Sequence, residues 1–452
     1  MTNIKKTNKN IYNKKINSFF SGIGGFDLAF EKNGFVPTFF CENNAFCRNV
    51  LEKNWQGIKI SKDISQLNVS EIPEAGIWTA GFPCQDLSLA RTPHGTRNGL
   101  KGSQSGLFFT FLDLVSQHLP QVVLLENVAG LLNSHKGADF NTLIKSLTRL
   151  GYAVAWRVLN ARYFGAPQSR PRVFICAWKG SPSNAIETLF ENEIVPIPKQ
   201  ERKGFLTESK CPVSGISVAQ LSYCISATSG RHTGLDWART YVTYPRAVRR
   251  LTPLECERLQ GFPDNWTIPN INGVTSMRSF ESNRYHAIGN AVCVPVVEWI
   301  AKRISKILDN KSSQLKNIDE NCIEEHLKSL VGTHISAQNE IRNFSDKEID
   351  LKWKSGGLAF GDFFATMPVS SAPQKAITSM LIDVIDKNIT DDIYFLSPNA
   401  IQGILRRVDK LGRNLFPPLD SVLRKIYQQH NTDSEKFIRS ETTVTPIKQI
   451  AI

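Results

Sequence analysis

The chain has nine cysteines among its 452 residues, but no Cys-x-x-Cys pair and no cysteine/histidine cluster at zinc spacing. A structural metal is therefore not expected. It also lacks any apolar run near the roughly 20 residues that a membrane helix needs; its longest, such as Val122 to Leu125, are strand-sized. The N-terminus has no apolar signal core, so the cytoplasm is the expected compartment and most thiols should be free and buried. Neither a dinucleotide fingerprint nor a Gly-Lys-Ser/Thr phosphate cradle occurs, which points away from a phosphate-rich nucleotide cofactor. The hydrophobic fraction is 41% and the charged fraction 21%, enough apolar content for a globular protein of two or three domains. Lysine and arginine outnumber aspartate and glutamate by 54 to 41, a formal net charge of +13. Such an excess fits a polyanion, since cations that neutralise phosphates release condensed counterions; charge alone fits a merely basic protein equally well.

Residues 1–15 hold five lysines and no acid and read as a flexible basic arm. Over 16–179, strand and helix patterns alternate: strands at Ile16 to Phe20, Val36 to Cys41, Gly76 to Phe82, Gln121 to Glu126 and Arg172 to Trp178, with helices between them. That alternation implies a parallel sheet covered on both faces. The pattern fades over 180–248 and returns over 249–309. There Thr252-Pro253-Leu254-Glu255 predicts a capped helix stopped by Gly261, and a last helix runs from about Val294 to Asp309. Residues 310–335 read as a linker. Residues 336–452 read as a separate, mainly helical accessory domain of unknown role, with helices opening at Ser397-Pro398 and Pro417-Pro418. On this reading a chain cut after 310 keeps its cofactor site.

Five segments carry the chemistry. Phe20-Ser21-Gly22-Ile23-Gly24-Gly25-Phe26 is a glycine loop between a strand and a helix, and Glu42 ends the next strand, where an acid can accept hydrogen bonds from ribose hydroxyls. Gly81-Phe82-Pro83-Cys84-Gln85 presents a thiol after a strand. Glu126-Asn127-Val128 puts a carboxyl at the edge of an apolar strand. Gln168-Ser169-Arg170-Pro171-Arg172 projects two arginines to one face, and Gly289-Asn290-Ala291-Val292 precedes the last helix.

In this order and spacing, over residues 15 to 305, the segments resemble the cytosine-5 DNA methyltransferase family. The resemblance implies a fold of α/β class: a doubly wound, Rossmann-like, S-adenosylmethionine-dependent methyltransferase domain, with a small target recognition domain at 180–248 and the C-terminal extension added. It implies Cys84 as the nucleophile that adds to carbon 6 of a flipped cytosine, Glu126 as the acid at ring nitrogen 3, and Arg170 and Arg172 at the base carbonyl, phosphate and neighbouring carboxylate. For S-adenosylmethionine it implies Phe20, Gly22 and Gly24 at the methionine moiety, Glu42 at the ribose, Asp63 and Ile64 at adenine, Leu107 near the methionine side, and Asn290 and Val292 closing the pocket. No metal is implied. Where the family often has a second acid two residues after the first, this chain has Asn44.

The expected partner is double-stranded DNA, bound through Arg91, Arg97, Gln168, Arg231 and Arg239, with no membrane association and a monomeric state. The family's usual context is restriction-modification, which implies a cognate endonuclease as a functional partner. Two other readings stand beside this one: a transfer-RNA cytosine methyltransferase using the same thiol chemistry, and a non-catalytic DNA-binding relative. Arg406, Arg407, Lys410, Arg413, Arg424 and Lys425 in the extension suit either a DNA-contacting module or a solvated polar face.

Overall fold

The run Val122-Val123-Leu124-Leu125 has no polar side, and it lies in the middle of a sheet covered on both faces. The structure, a computed structural model, describes residues 14–82, 107–191, 203–230, 236–269, 280–310, 341–345 and 352–441. Within them β1 (Lys15–Phe19) runs parallel between β2 (Val36–Cys41) and β4 (Ile77–Ala80). β3 (Lys59–Ser61) flanks β2, and β5 (Val122–Val128) lies beside β4, both parallel. β6 (Tyr152–Asn160) and β7 (Pro171–Lys179) continue the sheet antiparallel, in the order β5-β7-β6. The sequence pattern shows no strand at Tyr152–Asn160, because YAVAWRVLN is buried throughout most of its length and has no polar alternation.

The period of two sorts the core. Val122 and Leu124 face one layer, Val123 and Leu125 the other. The first layer holds α1 (Gly25–Glu31) and α2 (Ala45–Asn54); the second holds α3 (Leu107–His118) and α4 (Ala138–Arg149); α5 (Pro182–Leu189) returns to the first. After a short turn of helix, α6 (Lys203–Leu206), a separate antiparallel sheet occupies the segment without clear periodicity. It comprises β8 (Glu208–Lys210), β9 (Ser217–Ala219), β10 (Tyr241–Thr243) and β11 (Val248–Arg250), in the order β11-β10-β9-β8.

α7 (Pro253–Gln260) forms as its sequence predicts. Thr252 Oγ1 accepts from Glu255 N–H, Glu255 Oε2 accepts from Thr252 N–H, and Gly261 ends the helix at φ 80°. α8 (Glu281–Asn290) and α9 (Val294–Asp309) follow, with α9 packed on α1 in the first layer.

The C-terminal extension, whose described regular structure is mainly helical as expected, corrects the expectation of a separate domain. Its β12 (Ile341–Asn343), β13 (Gly356–Phe360) and β14 (Phe363–Met367) join the central sheet in the order β12-β14-β13-β6. β13 pairs with β6 through Gly357↔Trp156 and Leu358↔Ala155. A side chain at Gly357 would meet the Trp156 ring at 2.0 Å, so the pairing requires glycine there. Trp353 stacks edge-on against Phe140 and Trp156, with centroids at 5.1 and 5.4 Å, and donates to Gly137 O. Buried Arg157 donates to Ser370 O and Ala372 O of the extension, and to Leu189 O and Glu191 beside α5. Beyond these strands lie a short α10 (Leu381–Val384), α11 (Pro398–Lys410) and α12 (Pro417–Glu441). The physical reason is edge pairing: β6 without β13 presents unpaired backbone groups and an uncovered aromatic cluster.

Cutting the chain after residue 310 is therefore expected to yield insoluble or poorly folded protein, contrary to the sequence-level expectation of an intact cofactor site. Trp353→Ala in the full chain should destabilise it by about 3–5 kcal/mol, read as a shift in urea midpoint. Equal denaturation curves for wild type and both variants would mean that the extension folds independently.

Candidate active site

The carboxyl ends of β1, β2, β4 and β5 meet along one edge of the sheet, where open α/β folds take their ligands. After β1 the chain turns sharply. Phe20 takes φ 51°, Gly22 φ 55° and Gly24 φ 79°, the last capping α1. A non-glycine residue in the left-handed region is strained by about 1–3 kcal/mol, and such strain clusters at ligand sites. Nothing lies within 4 Å of the point where a Gly22 side chain would begin, whereas one at Gly24 would strike Trp55 at 2.2 Å. The first glycine leaves room on the loop, and the second allows the loop to sit on α2.

Glu42 is buried, and both of its oxygens are held by main chain: Gly22 N–H donates to Oε2 and Asn44 N–H to Oε1, each at 2.8 Å. Burial pushes its pKa up, against the pull of these hydrogen bonds and of Arg48. Glu42 N–H bonds Ser61 O at the end of β3, which brings the Asp63 turn alongside. Asp63 caps that turn through Ser65 N–H at 2.9 Å, and Ser65 holds its pKa below the ordinary value. Ile64 is buried behind it. Leu107 opens α3 half-buried, next to Phe108, whose ring packs on Phe82 at 5.1 Å. Val292 closes the loop from the far end of the sequence, its Cγ2 lying 2.8 Å from where a Gly25 side chain would begin; Asn290 is exposed at the end of α8. A cavity of about 260 Å³ opens between α2 and α8, lined by Asn44, Phe46, Asn283 and His286 among others. It adjoins Glu42 in sequence, but none of the expected cofactor residues lines it.

Glu126 ends the apolar stretch of β5. One of its oxygens lies 4.0 Å from where a Gly81 side chain would begin, and Asn127 Nδ2 donates to Phe82 O. Cys84, Arg91 and Arg97 follow this point, and they lie outside the described residues, as does Arg231. Arg172 Nε stands 3.1 Å from Glu126 Oε1. Burial raises the Glu126 pKa, and the charges of Arg172 and Arg170 pull it back without cancelling the rise. A carboxyl in such surroundings is able to hold or release a proton near a bound base.

Arg170 differs from its neighbour. It is buried; Nη1 donates to Ile225 O at 2.8 Å, and Nη2 to Gly289 O at 3.0 Å and Ala291 O at 2.7 Å. Both terminal nitrogens are thus bound to main chain, and the expected approach to a base carbonyl would rest on Nε, which has no partner. Gln168, expected at DNA, is fully buried instead. Its Nε2 donates to Leu259 O and Gln260 Oε1, both at 2.7 Å, so it cross-links the loop before β7 to α7 and presents nothing to a surface ligand. Arg239 is half-buried and donates to Thr228 O and Ser229 O. Cys224 also departs from the expectation of inert buried thiols. It is exposed, 3.4 Å from Arg170 Nη1 and 3.8 Å from Arg172 Nη2. Desolvation opposes its ionisation, yet the two guanidiniums together lower its pKa. No sequence signal marks it, because its neighbours in the site come from 54 and 52 residues away.

The fold is of the Rossmann-like α/β class, with the glycine loop and the two carboxylates gathered at the carboxyl edge of its sheet. The family model for C-5 cytosine-specific DNA methylase matches residues 14–211 and 223–306. The chain belongs to that family and is a DNA cytosine-5 methyltransferase; its substrate is DNA, which sets aside the transfer-RNA and non-catalytic readings. The Type II methyltransferase M2.BsuMI of Bacillus subtilis is 30% identical over 416 residues, covering 87% of this chain and 92% of that protein. The Type II methyltransferase M.MthTI of Methanothermobacter thermautotrophicus is 32% identical, covering 66% of this chain and 98% of that one. A match over 87% of the chain must run into the C-terminal extension, so the Bacillus protein aligns with part of it. Among solved structures, a methyltransferase of Entamoeba histolytica superposes with a TM-score of 0.49 at 17% identity, over 66% of this chain and 99% of that one, a likeness too distant to bear on function. No helix among the described residues is long and apolar enough to cross a membrane.

Asp27 generates a pH dependence beneath the glycine loop. It is fully buried in the first turn of α1, neither oxygen finds a partner in normal hydrogen-bond geometry, and burial pushes its pKa from 3.8 up to about 7 against a weaker pull from Ser18. A carboxyl with a raised folded pKa stabilises the fold fully below its unfolded value, and that contribution is lost as pH rises through about 7. Asp27→Asn should therefore match wild type in stability near pH 4 and exceed it above pH 7 by up to about 4 kcal/mol. Urea midpoints measured across that range test this; a gap that does not change with pH would refute it.

Proposed function

We propose that this methyltransferase works through a covalent adduct between Cys84 and the target cytosine. Position 5 of cytosine is too weak a nucleophile to be alkylated unaided. Addition of the Cys84 thiolate to carbon 6 makes the ring an enamine and forms a sulfur–carbon bond, while nitrogen 3 takes a proton from Glu126. Arg172 holds the Glu126 carboxyl at the sheet edge and supports charge that develops on the ring. After methylation a base removes the hydrogen from carbon 5, the ring electrons expel the thiolate, and nitrogen 3 returns its proton to Glu126. The observation that carries this reading is the placement of Glu126: buried, paired with Arg172, and beside Gly81 three residues before the thiol. Arg170 contributes by positioning, since its terminal nitrogens hold main chain.

The family uses S-adenosylmethionine, which supplies an electrophilic methyl group. The residues present suit it. Gly22 leaves open space on the loop and Glu42 has both oxygens fixed by backbone N–H groups, leaving lone pairs for ribose hydroxyls. Phe20, Gly22 and Gly24 would hold the methionine end, Asp63 and Ile64 the adenine, and Leu107, Asn290 and Val292 the remaining walls. For DNA, Arg91, Arg97, Arg231 and Arg239 remain the proposed contacts. The names of the relatives support a Type II modification enzyme; a cognate endonuclease, a monomeric state and a cytoplasmic setting belong to the same proposal.

Cys84→Ala should abolish methyl transfer with melting temperature and cofactor affinity nearly unchanged, because a thiol packs little more than a methyl group. DNA carrying 5-fluorocytosine should trap wild-type enzyme in a denaturant-stable complex; no trapping, or an active alanine variant, would sink the covalent route. Glu126→Gln should lower turnover by roughly two to four orders of magnitude while DNA binding persists. Near-normal turnover would leave Glu126 a structural partner of Arg172.

A further inference from the structure

The helical pair at the end of the extension shares a core with the recognition sheet. Tyr241 of β10 and Val248 of β11 pack with Ile401 and Leu405 of α11 and with Leu419 and Leu423 of α12. The main chain joins as well: Leu396 N–H donates to Val248 O at 2.8 Å, and Phe395 forms an antiparallel bridge with Arg249. A fully buried ion pair fastens the junction. Arg249 binds Glu255 through both terminal nitrogens, and Asp386 of the extension accepts from Arg249 and donates to Glu255 through its backbone. Segments 203–250 and 386–427 therefore make one recognition unit, although 135 residues lie between them.

The charge on the helical pair of this unit is one-sided. Over residues 397–430 the cations are Arg406, Arg407, Lys410, Arg413, Arg424 and Lys425, and the acids are Asp409 and Asp420. Arg424 binds both acids, at 2.8 and 3.0 Å. Arg406 and Lys410 are exposed, four residues apart, and lie away from the buried stripe Ile401, Ile404, Leu405 and Val408. Neither has an ion-pair partner among the described residues. Arg413 stands over the Trp237 ring at 5.5 Å, and Trp237 is two residues before Arg239. A favourable interaction with the helix C-terminus accounts for Arg407 and Lys410 at most; it does not account for Arg413, which lies past the helix, or for the neutralised acids.

We infer that Arg406, Lys410 and Arg413 hold the phosphate backbone of duplex DNA, so that the extension forms the outer half of the target recognition domain. The inference rests on DNA as the substrate. Phosphate contacts set register and affinity, while base contacts come from elsewhere on the domain.

The test is Arg406→Gln/Lys410→Gln in the full chain, with binding to a short unmodified duplex measured by fluorescence anisotropy over a salt series. The plot of log affinity against log salt should become shallower by about 0.9 per lost contact, so by nearly two units. Target and non-target duplexes should be affected alike, with unchanged melting temperature and cofactor affinity. As a second readout on unmutated enzyme, DNA should protect Lys410 from acetylation. An unchanged slope, or Lys410 equally acetylated with and without DNA, overturns the inference. Methylation of the same duplex by wild-type enzyme is the control: its failure would instead put the DNA reading itself in question.

Discussion

The active edge depends on a buried polar network around the carbonyls of residues 288–291. Arg170 donates to Gly289 O and Ala291 O, and Gln260 donates to Ile288 O and Ala291 O at 2.9 and 3.0 Å. Gln168 locks onto Gln260 from the other side. A helix C-terminus leaves carbonyls unsatisfied, and burying them without donors costs about 1–3 kcal/mol each. Here Arg170, just before β7, and Gln260 of α7 meet that need and fix where Val292 presses on the glycine loop. Removing the Arg170 guanidinium would strip Gly289 O of this donor and leave Ala291 O with Gln260 alone, loosening the end of α8 beside the glycine loop.

The same network passes beneath the recognition segment. Ile225 O is an acceptor of Arg170, and a side chain at Gly289 would strike the backbone of Ser226 and Ala227 at 2.2 to 2.4 Å. The chain between β9 and β10 is thus seated directly on the end of α8, next to Val292 and the glycine loop. Shape and hydrogen bonding, rather than a flexible tether, hold this segment against the end of α8. Glu126 then has the pairing its chemistry calls for: burial favours the protonated form, and Arg172 keeps the ionised form accessible.

The extension adds a second constraint. Arg157 sits in the middle of β6, and its guanidinium reaches the loops after β14 as well as the end of α5. A buried arginine bound to three main-chain carbonyls is tolerable because its donors are satisfied. It makes the catalytic sheet and the extension a single folding unit.

Local rules determined much of this protein from sequence. The glycine loop, the Thr252–Glu255 capping box, the stop at Gly261 and the last helix at Val294–Asp309 lie where short-range chemistry puts them. Glu42 and Glu126 were legible because each ends an apolar strand. What tertiary structure decided is everything set by partners distant in the chain. Gln168 looks like a surface donor in its motif, yet Leu259 and Gln260, 91 and 92 residues away, bury it. Gly356–Phe360 has the composition of an unremarkable short strand, and its edge on β6 depends on register with Tyr152–Asn160, some 200 residues upstream. Capping and turn preferences act over four residues, so sequence carries them openly. Burial, ion pairing and edge pairing depend on which segments come together, and the packed chain alone decides that.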